Sequence, residues 1–192
     1  VTIFWTLGMQ NSMNFIDGLD GLSGGISLLA AVTLGLIALP TSPLLAALCF
    51  TLAGALVGFL RHNFHPASIY MGTSGILAVA YALAVLAILG TAKVAAALLI
   101  LGVPIIDAFF VILGRILAGR SPYTPDKSHI HRRLLDNGFS HRSAVLVLYG
   151  ITALLSIGAL LLTESATLYA FAGLLVVLGG VAVYLSRRAE GL

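Results

Sequence analysis

Charged side chains are scarce in this 192-residue sequence: Lys, Arg, Asp and Glu together make up only 9% of it. In an ordinary soluble domain about a quarter of the residues are charged. Hydrophobic residues reach 59%, and the mean hydropathy is +1.07. The shortage of charge therefore excludes a soluble globular domain and indicates an integral membrane protein.

Cysteine is nearly absent too, because Cys49 is the single one in the sequence. A lone cysteine excludes a disulfide within the chain, and its apolar neighbours favour plain packing. The start of the sequence, at Val1, has neither an initiator Met nor the pattern of a cleavable signal peptide. We expect the chain to be a piece of a longer protein or a trimmed form of one.

Six apolar runs come close to the ~20 residues that a helix needs to cross a bilayer. They cover residues 22–39, 44–60, 76–92, 94–113, 144–162 and 168–185. Residues 1–13 are apolar but shorter, and they predict the last half of a further helix. Because the runs are continuous and do not alternate, they exclude a transmembrane β-barrel. We predict an all-α polytopic transmembrane helix bundle, with about six full spans plus a partial N-terminal helix, as a single membrane domain over residues 1–192.

The positive charges are distributed unevenly over the connections between these runs. When the spans are laid alternately through a membrane, nine of the ten Lys and Arg residues fall on one side, and only Lys93 falls on the other. The positive-inside rule makes the first side cytoplasmic. All five histidines fall on the same side. We therefore expect the chemistry of this protein at the cytoplasmic face of the membrane.

Four oxygen-bearing side chains recur at every third position near the start of the chain, at Asn11, Asn14, Asp17 and Asp20. Residues three apart are neighbours on a helix surface, so pairs of them can converge on one ligand. A capped polar helix end is the simpler interpretation, but capping requires fewer such groups. Oxygen ligands of this kind suit Mg²⁺, which takes one or two protein groups together with substrate phosphates. The stretch therefore predicts a site at the end of a membrane helix.

Residues 115–142 form a basic cytoplasmic loop with six Lys or Arg residues and two Asp residues. Anchoring at lipid headgroups explains part of this charge, but it does not explain the pair His129 and His131. A metal site would need further ligands and few cations nearby. Neighbouring cations such as Lys127 and Arg132 instead favour a phosphate ligand. A loop that grips phosphate should fold back over the Asn/Asp stretch, whereas a plain anchor should lie spread along the headgroups.

Asp107 is the one acidic residue inside a predicted span, three residues after Pro104. It lies within about two helical turns of Arg115, so it either faces the site or pairs with a loop cation; helix packing is the simpler alternative. Pro104 should kink this helix. The spans otherwise hold few polar groups, which argues against a transporter, because transporters need such groups near the membrane midplane.

Four motifs occur in a fixed order along the chain. They are Asn-x-x-Asn-x-x-Asp-Gly-x-Asp-Gly-Leu at 11–22, Asn-Phe-x-Pro-Ala-x-x-x-Met-Gly at 63–72, Pro-Ile-x-Asp at 104–107 and His-x-His-x-Arg-Leu at 129–134. Together they resemble the polyprenyl-phosphate N-acetylhexosamine-1-phosphate transferases, the glycosyltransferase family 4 enzymes that begin peptidoglycan, teichoic-acid and O-antigen lipid carriers. The resemblance covers essentially the whole chain. The last motif is similar to the branch that transfers GlcNAc-1-phosphate.

The resemblance implies transfer of a sugar-1-phosphate, GlcNAc-1-phosphate, from a UDP-sugar to a polyprenyl phosphate at the cytoplasmic face of the membrane, with release of UMP. It also implies Mg²⁺, with Mn²⁺ as the alternative, as the cofactor. A second copy of the chain or a missing N-terminal half is the implied protein partner, and no nucleic acid is expected. The alternatives are a degenerate homologue that binds lipid phosphate or a partner without catalysis and, less favoured, a transporter.

The resemblance also assigns roles to individual residues. Asn14 is implied as a metal ligand, and Asp17 and Asp20 as catalytic residues that orient the nucleotide or the attacking phosphate. Substrate binding is expected of Asn11, Asn63, Asp107, Lys127, His129, His131 and Arg132.

Two features depart from the family pattern. The family has further spans and an acidic cluster in its earlier half, which have no counterpart here, so this chain corresponds to the C-terminal portion. The family also has Met-Gly-Asp-x-Gly-Ser where residues 71–76 stand, which places Thr73 at the metal-binding Asp and Ile76 at the Ser. A Thr hydroxyl is a poor Mg²⁺ ligand compared with a carboxylate. We therefore expect feeble metal binding at this loop and feeble transfer activity.

Overall fold

A computed structural model of the protein describes residues 2–90, 94–117, 119, 121 and 129–190. All regular structure in these residues is helical, which confirms the predicted all-α fold. The helices are α1 (Thr2–Ile16), α2 (Leu22–Ala38), α3 (Pro43–Asn63), α4 (Gly72–Leu89), α5 (Val94–Ile100), α6 (Gly102–Leu117), α7 (Ile130–Asp136), α8 (His141–Leu161) and α9 (Glu164–Glu190).

The long helices are those of a membrane protein. Within the described ranges, α3, α4 and α8 are long and apolar enough to cross a bilayer, while α2 and the Ser165–Val177 part of α9 are apolar but shorter. Only 28–33% of the apolar window of each long helix is buried within the protein. Helices that stay apolar on faces without a protein partner are typical of a bundle surrounded by lipid. The predicted transmembrane helix bundle is therefore confirmed.

The predicted span 94–113 is two helices and not one. Helix α5 ends at Ile100, and α6 begins at Gly102. Pro104 has no N–H to donate to the Ile100 carbonyl, and it lies in the first turn of α6, where a helix requires no such bond. Helical hydrogen bonds are retained on both sides of Leu101, so this one-residue interruption lies where a kink caused by Pro104 is expected. The other predicted spans correspond to helices whose ends differ by a few residues, as is usual for boundaries inferred from hydropathy.

Helix α1 is the central element for the site, because it packs against both α4 and α6. The Trp5 indole N–H donates to the Ala84 carbonyl at 3.1 Å, and the Gln10 amide donates to the Leu77 carbonyl at 3.2 Å. Helix α2 packs against α3 and α8. The small residue Gly25 of α2 lies directly against α8 and lets these two helices approach closely. Contacts between the α1–α2 turn, the α3–α4 loop and α7 place these three segments together at one end of the bundle.

We predict that this end faces the cytoplasm, so that cysteines introduced at Ser140 and Ser165 are labelled from opposite sides of the membrane. Both positions are exposed. The native Cys49 is fully buried, so background labelling should be low. An impermeant thiol reagent applied to sealed vesicles of known orientation provides the measurement. Labelling of both cysteines from the same side would contradict this topology.

Candidate active site

The turn between α1 and α2 carries Asp17 and Asp20, and hydrogen bonds with other helices hold it at Gly21. Gly21 has a φ of 81°, a left-handed conformation that favours glycine. Its N–H donates to Asn63 Oδ1 at 3.1 Å, and its carbonyl accepts a hydrogen bond from the Tyr149 hydroxyl. Helices α3 and α8 therefore fix the backbone on which both acids stand.

Asn63 connects two loops of the site. Besides its bond to Gly21, its side-chain amide donates to the Ile69 carbonyl at 2.9 Å, and the residue is only 6% exposed. Both ends of the amide are thus engaged within the protein. This geometry favours a positioning role over the direct substrate contact expected from the sequence.

The two acids have pKa values shifted in opposite directions. Burial raises the pKa of Asp17, and a hydrogen bond from the Ser23 hydroxyl offsets only part of this effect. Burial would also raise the pKa of Asp20, but hydrogen bonds from His65 and from the Ala67 N–H outweigh it and lower that pKa. Two neighbouring acids with separated pKa values are suited to different roles in proton transfer.

A polar cavity of about 310 Å³ lies between the α1–α2 turn and the beginning of α4. Its polar lining consists of Asn14, Asp17, Asp20, Asn63, Tyr70 and Thr73. The structure therefore brings the predicted metal ligand and both predicted catalytic acids to one space. Thr73, which stands at the metal-binding Asp of the family motif, faces the same space.

The donor atoms of this cavity fit Mg²⁺. The hydrogen bonds described above engage Oδ1 of Asp17 and Oδ2 of Asp20. Within the described part of the chain, the second oxygen of each carboxylate has no hydrogen-bond partner. The Asn14 side chain also lines the cavity and can offer an amide oxygen. A few hard oxygen ligands beside room for phosphates is the arrangement that Mg²⁺ prefers.

Asp107 holds the beginning of α7. Its Oδ2 accepts a hydrogen bond from His129 Nδ1 at 2.8 Å, and its Oδ1 accepts one from the Ile130 N–H at 2.7 Å. Asp107 and His129 are each only 8% exposed. The expected alternatives were a site-facing acid or a partner for a loop cation, and the observed partner is a loop histidine. The carboxylate fixes the His129 tautomer with its proton on Nδ1.

The loop histidines fold back over the end of α1, as expected for a loop that serves the site. The His129 ring lies 5.5 Å from the Phe15 ring, measured between centroids. The His131 ring stacks on that of His129 at 5.7 Å and packs directly against Gly18. Burial lowers the pKa of His131 to about 4, although the nearby Asp107 charge opposes this shift. His131 is therefore neutral at pH 7.

Three of the predicted substrate-binding residues either do not line the polar cavity or are not described. Arg132 is exposed on α7. Asn11 donates its side-chain amide to the Leu7 carbonyl at 2.8 Å on the α1 surface, and it does not line the polar cavity. Lys127 lies outside the described residues.

A second cavity, of about 550 Å³, runs along α1 on the side of α5 and α6. Its lining is mainly apolar and includes Trp5, Gly8, Phe15, Ile105 and Phe109. Asn11 lines this groove, whereas Asn14, one helical turn further on, lines the polar cavity. Helix α1 therefore contributes to both an apolar groove and a polar cavity.

The sequence analysis missed several residues that shape the site. Tyr149 stands inside an apolar run and gives no local signal. His65 and Gly18 stand within recognised motifs, but each contacts a residue that is distant in the chain. His65 contacts Asp20, and Gly18 contacts His131. Such contacts follow from the packing of the helices and not from spacing.

The site thus consists of a membrane helix bundle with a polar cavity, lined by carboxylate and amide side chains, and an apolar groove. Comparison with known proteins specifies the family. Residues 1–91 match the family model described as Glycosyl transferase family 4. The chain belongs to the polyprenyl-phosphate N-acetylhexosamine-1-phosphate transferase family, as its motifs indicated.

Three relatives illustrate the similarity. A probable undecaprenyl-phosphate N-acetylglucosaminyl 1-phosphate transferase of Bacillus subtilis is 40% identical over 88% of this chain and 49% of its own length. A decaprenyl-phosphate N-acetylglucosaminephosphotransferase of Mycobacterium tuberculosis is 34% identical over 99% of this chain and 54% of its own length. A phospho-N-acetylmuramoyl-pentapeptide-transferase of Trichormus variabilis is 44% identical over 45% of this chain and 25% of its own length. The chain spans about half the length of the first two relatives.

Proposed function

We propose that the complete protein transfers GlcNAc-1-phosphate from UDP-GlcNAc to a polyprenyl phosphate at the cytoplasmic face of the membrane, and so begins a cell-envelope polysaccharide. The observation that carries this proposal is that α1 contributes to both cavities, to the apolar groove along its length and to the polar cavity at its end. A polyprenyl phosphate has an apolar chain and an anionic head, and the groove and the polar cavity match these parts in turn. The Bacillus subtilis and Mycobacterium tuberculosis relatives, which match 88% and 99% of this chain, are named for N-acetylglucosamine, and this supports that sugar over N-acetylmuramoyl-pentapeptide.

The polar cavity supplies the groups that phosphoryl transfer needs. Asn14 and Asp17 would hold Mg²⁺, which when bound neutralises charge on the donor diphosphate. The lowered pKa of Asp20 keeps that residue ionised. Asp20 then orients the uridine or the ribose by accepting hydrogen bonds.

The loop histidines serve the donor side of the same site. Asp107 acts as a positioning residue, because it fixes the tautomer of His129 and the beginning of α7. His129 and His131 are then held against the end of α1, with the exposed Arg132 beside them to bind donor phosphate. The names of the relatives are all those of transferases, so they give no support to a non-catalytic homologue or a transporter.

The assignment of the groove to the acceptor lipid predicts the effect of Gly8→Trp. A Cβ atom at Gly8 meets no atom within 4 Å, so the larger side chain can enter the groove without a backbone clash. Displacing even two CH₂ groups of the lipid costs about 1.6 kcal/mol at ~0.8 kcal/mol each. We expect the KM for polyprenyl phosphate to rise about 10-fold or more, with the KM for UDP-GlcNAc changed less than about 2-fold.

Steady-state kinetics of the full-length protein in detergent, with each substrate varied in turn, measure this difference. Gly54→Trp on α3 is the matched control, because a Cβ atom there also meets nothing within 4 Å and the position lies away from the groove. A Gly8→Trp protein with a raised KM for UDP-GlcNAc and an unchanged KM for the lipid would contradict the assignment.

A further inference from the structure

Asp20, His65 and His141 come from three separate segments and meet at the edge of the polar cavity. One ligand atom of each lies within 4.8 Å of the others. His65 Nδ1 donates to Asp20 Oδ2 at 2.9 Å, and the His65 and His141 rings stack with centroids 4.1 Å apart and planes 19° from parallel. The cluster thus joins the α1–α2 turn, the α3–α4 loop and the beginning of α8.

We propose that these three residues form a binding site for a divalent transition metal of the Zn²⁺ class. Two imidazole nitrogens and one carboxylate oxygen are donors that Zn²⁺ accepts, with a fourth position left to water. This set differs from the oxygen donors assigned above to Mg²⁺, a hard cation that prefers oxygen ligands. The single carboxylate gives the site one negative charge when both histidines are neutral.

The distances between the ligand atoms are short enough for coordination. With metal–ligand bonds of about 2.0–2.1 Å, the ligand atoms of a tetrahedral site lie about 3.4 Å apart. Atoms that now lie within 4.8 Å of one another therefore need to move by no more than about 1.5 Å. Two stacked rings do not direct their nitrogens at one point, so the His141 ring has to rotate about its side-chain torsions on binding.

A second observation points to a ligand at this place. His141 Nε2 is buried and has no hydrogen-bond partner in the described part of the chain. A buried polar atom without a partner is costly, and a bound metal or its water would supply the missing interaction. The His65 backbone is already fixed, because Arg142 donates to its carbonyl at 3.0 and 3.2 Å. Only side chains have to move.

A bound metal would connect the α1–α2 turn, which carries Asp20, to the beginning of α8 at the edge of the polar cavity. The metal also replaces His65 as the partner of Asp20 Oδ2, so occupancy alters a residue of the proposed transferase site. The binding itself rests on the cluster geometry alone. It does not depend on which reaction the protein catalyses.

Titration of ZnCl₂ into the purified full-length protein, expressed without a polyhistidine tag and in the absence of substrates, tests the proposal by calorimetry. We expect one Zn²⁺ per chain at this site. Substitution of a residue that only supports a metal ligand typically weakens binding by about 10–100-fold. His65→Gln and His141→Gln each remove a ligand, so each should lose more Zn²⁺ affinity than that. His62→Gln is the matched control, because His62 is an exposed histidine on α3 outside the cluster. It should bind like the wild type.

A spectroscopic measurement keeps the proposal testable where a variant fails to fold. Cu²⁺ binds nitrogen and oxygen donors more tightly than Zn²⁺, and its electron paramagnetic resonance spectrum reports the number of bound imidazole nitrogens. The wild-type protein with one equivalent of Cu²⁺ should show two. Fewer than two nitrogens, or wild-type Zn²⁺ affinity in the folded His65→Gln and His141→Gln proteins, would overturn the proposal. Because neither assay contains UDP-sugar or lipid, this failure is distinct from failure of the proposed transfer activity.

Discussion

Gly18→Ala should lower kcat at least about 100-fold, since misplacing a catalytic group by ~1 Å is enough for a loss of this size. A Cβ atom at Gly18 would lie less than 3.0 Å from three atoms of the His131 ring. The ring cannot simply move aside, because His131 is only 2% exposed and stacks on His129. The added methyl group would therefore push the histidine loop away from the end of α1. The polar cavity would remain, but the groups expected to bind the donor phosphates would be displaced.

A double-mutant cycle separates this effect from a general disturbance of the turn. In a His131→Ala background, the methyl group at Gly18 meets no ring, so Gly18→Ala should cost less than about 3-fold there. Gly21→Ala is the contrasting control, because its φ of 81° makes alanine strained whichever residue stands at 131. Gly18 does not have a positive φ, so alanine is compatible with its backbone. Equal losses for Gly18→Ala in both backgrounds would show that Gly18 serves something other than His131.

Much of the fold could be predicted from the sequence, because membrane-spanning helices appear in it as long apolar runs. Hydropathy did not show the interruption at Leu101 within the span over residues 94–113, because the segment stays apolar throughout. The proline near the interruption was visible, but whether a proline kinks a helix or divides it depends on the neighbouring helices that satisfy the backbone. The packing of α5 and α6 is a property of the bundle and not of the run.

The three-residue spacing of the Asn/Asp stretch predicted only part of the site. Helix α1 ends at Ile16, so Asp17 and Asp20 lie beyond it, and a helical spacing no longer decides where they point. Asn14 and Asp17 do reach the polar cavity, while Asn11 lines the apolar groove. The end of α1, and not the spacing, therefore determines which of these residues line the polar cavity.

Contacts between distant segments could not be predicted from local patterns. The Tyr149 hydroxyl reaches a carbonyl 128 positions earlier, and Arg142 reaches one 77 positions earlier. A tyrosine in an apolar run has no feature that shows whether its hydroxyl makes a hydrogen bond within the bundle or its side chain faces lipid. Asp107 was conspicuous as an acid in a span, but its partner His129 is separated from it by 22 positions and a loop. Sequence patterns thus found the acid and could not choose its partner.

Thr73→Asp is expected to lower the Mg²⁺ concentration required for half-maximal activity by about 10-fold or more, which corresponds to only ~1.4 kcal/mol of binding free energy. Thr73 is exposed and lines the polar cavity with Asn14 and Asp17, so a carboxylate there faces the proposed metal position. Two unit charges about 4 Å apart near a protein surface interact by about 4 kcal/mol, so a doubly charged cation readily supplies the required gain. Ile76 does not obstruct this change, because its side chain is fully buried in the core.

The comparison that isolates the charge is Thr73→Asn, which has nearly the same shape as the aspartate and no charge. Activity of the full-length wild type and of both variants is measured with UDP-GlcNAc and polyprenyl phosphate over a Mg²⁺ titration. The aspartate alone should shift the titration, because a carboxylate attracts the cation and an amide does so only weakly. Without Mg²⁺, the new carboxylate adds a negative charge beside Asp17, so the Thr73→Asp protein should be less stable than the wild type. The opposite outcome is robust wild-type turnover at low Mg²⁺ and no shift of the Mg²⁺ titration in Thr73→Asp. It would mean that other residues of this cavity already hold the metal and that the residue at position 73 is not needed for metal binding.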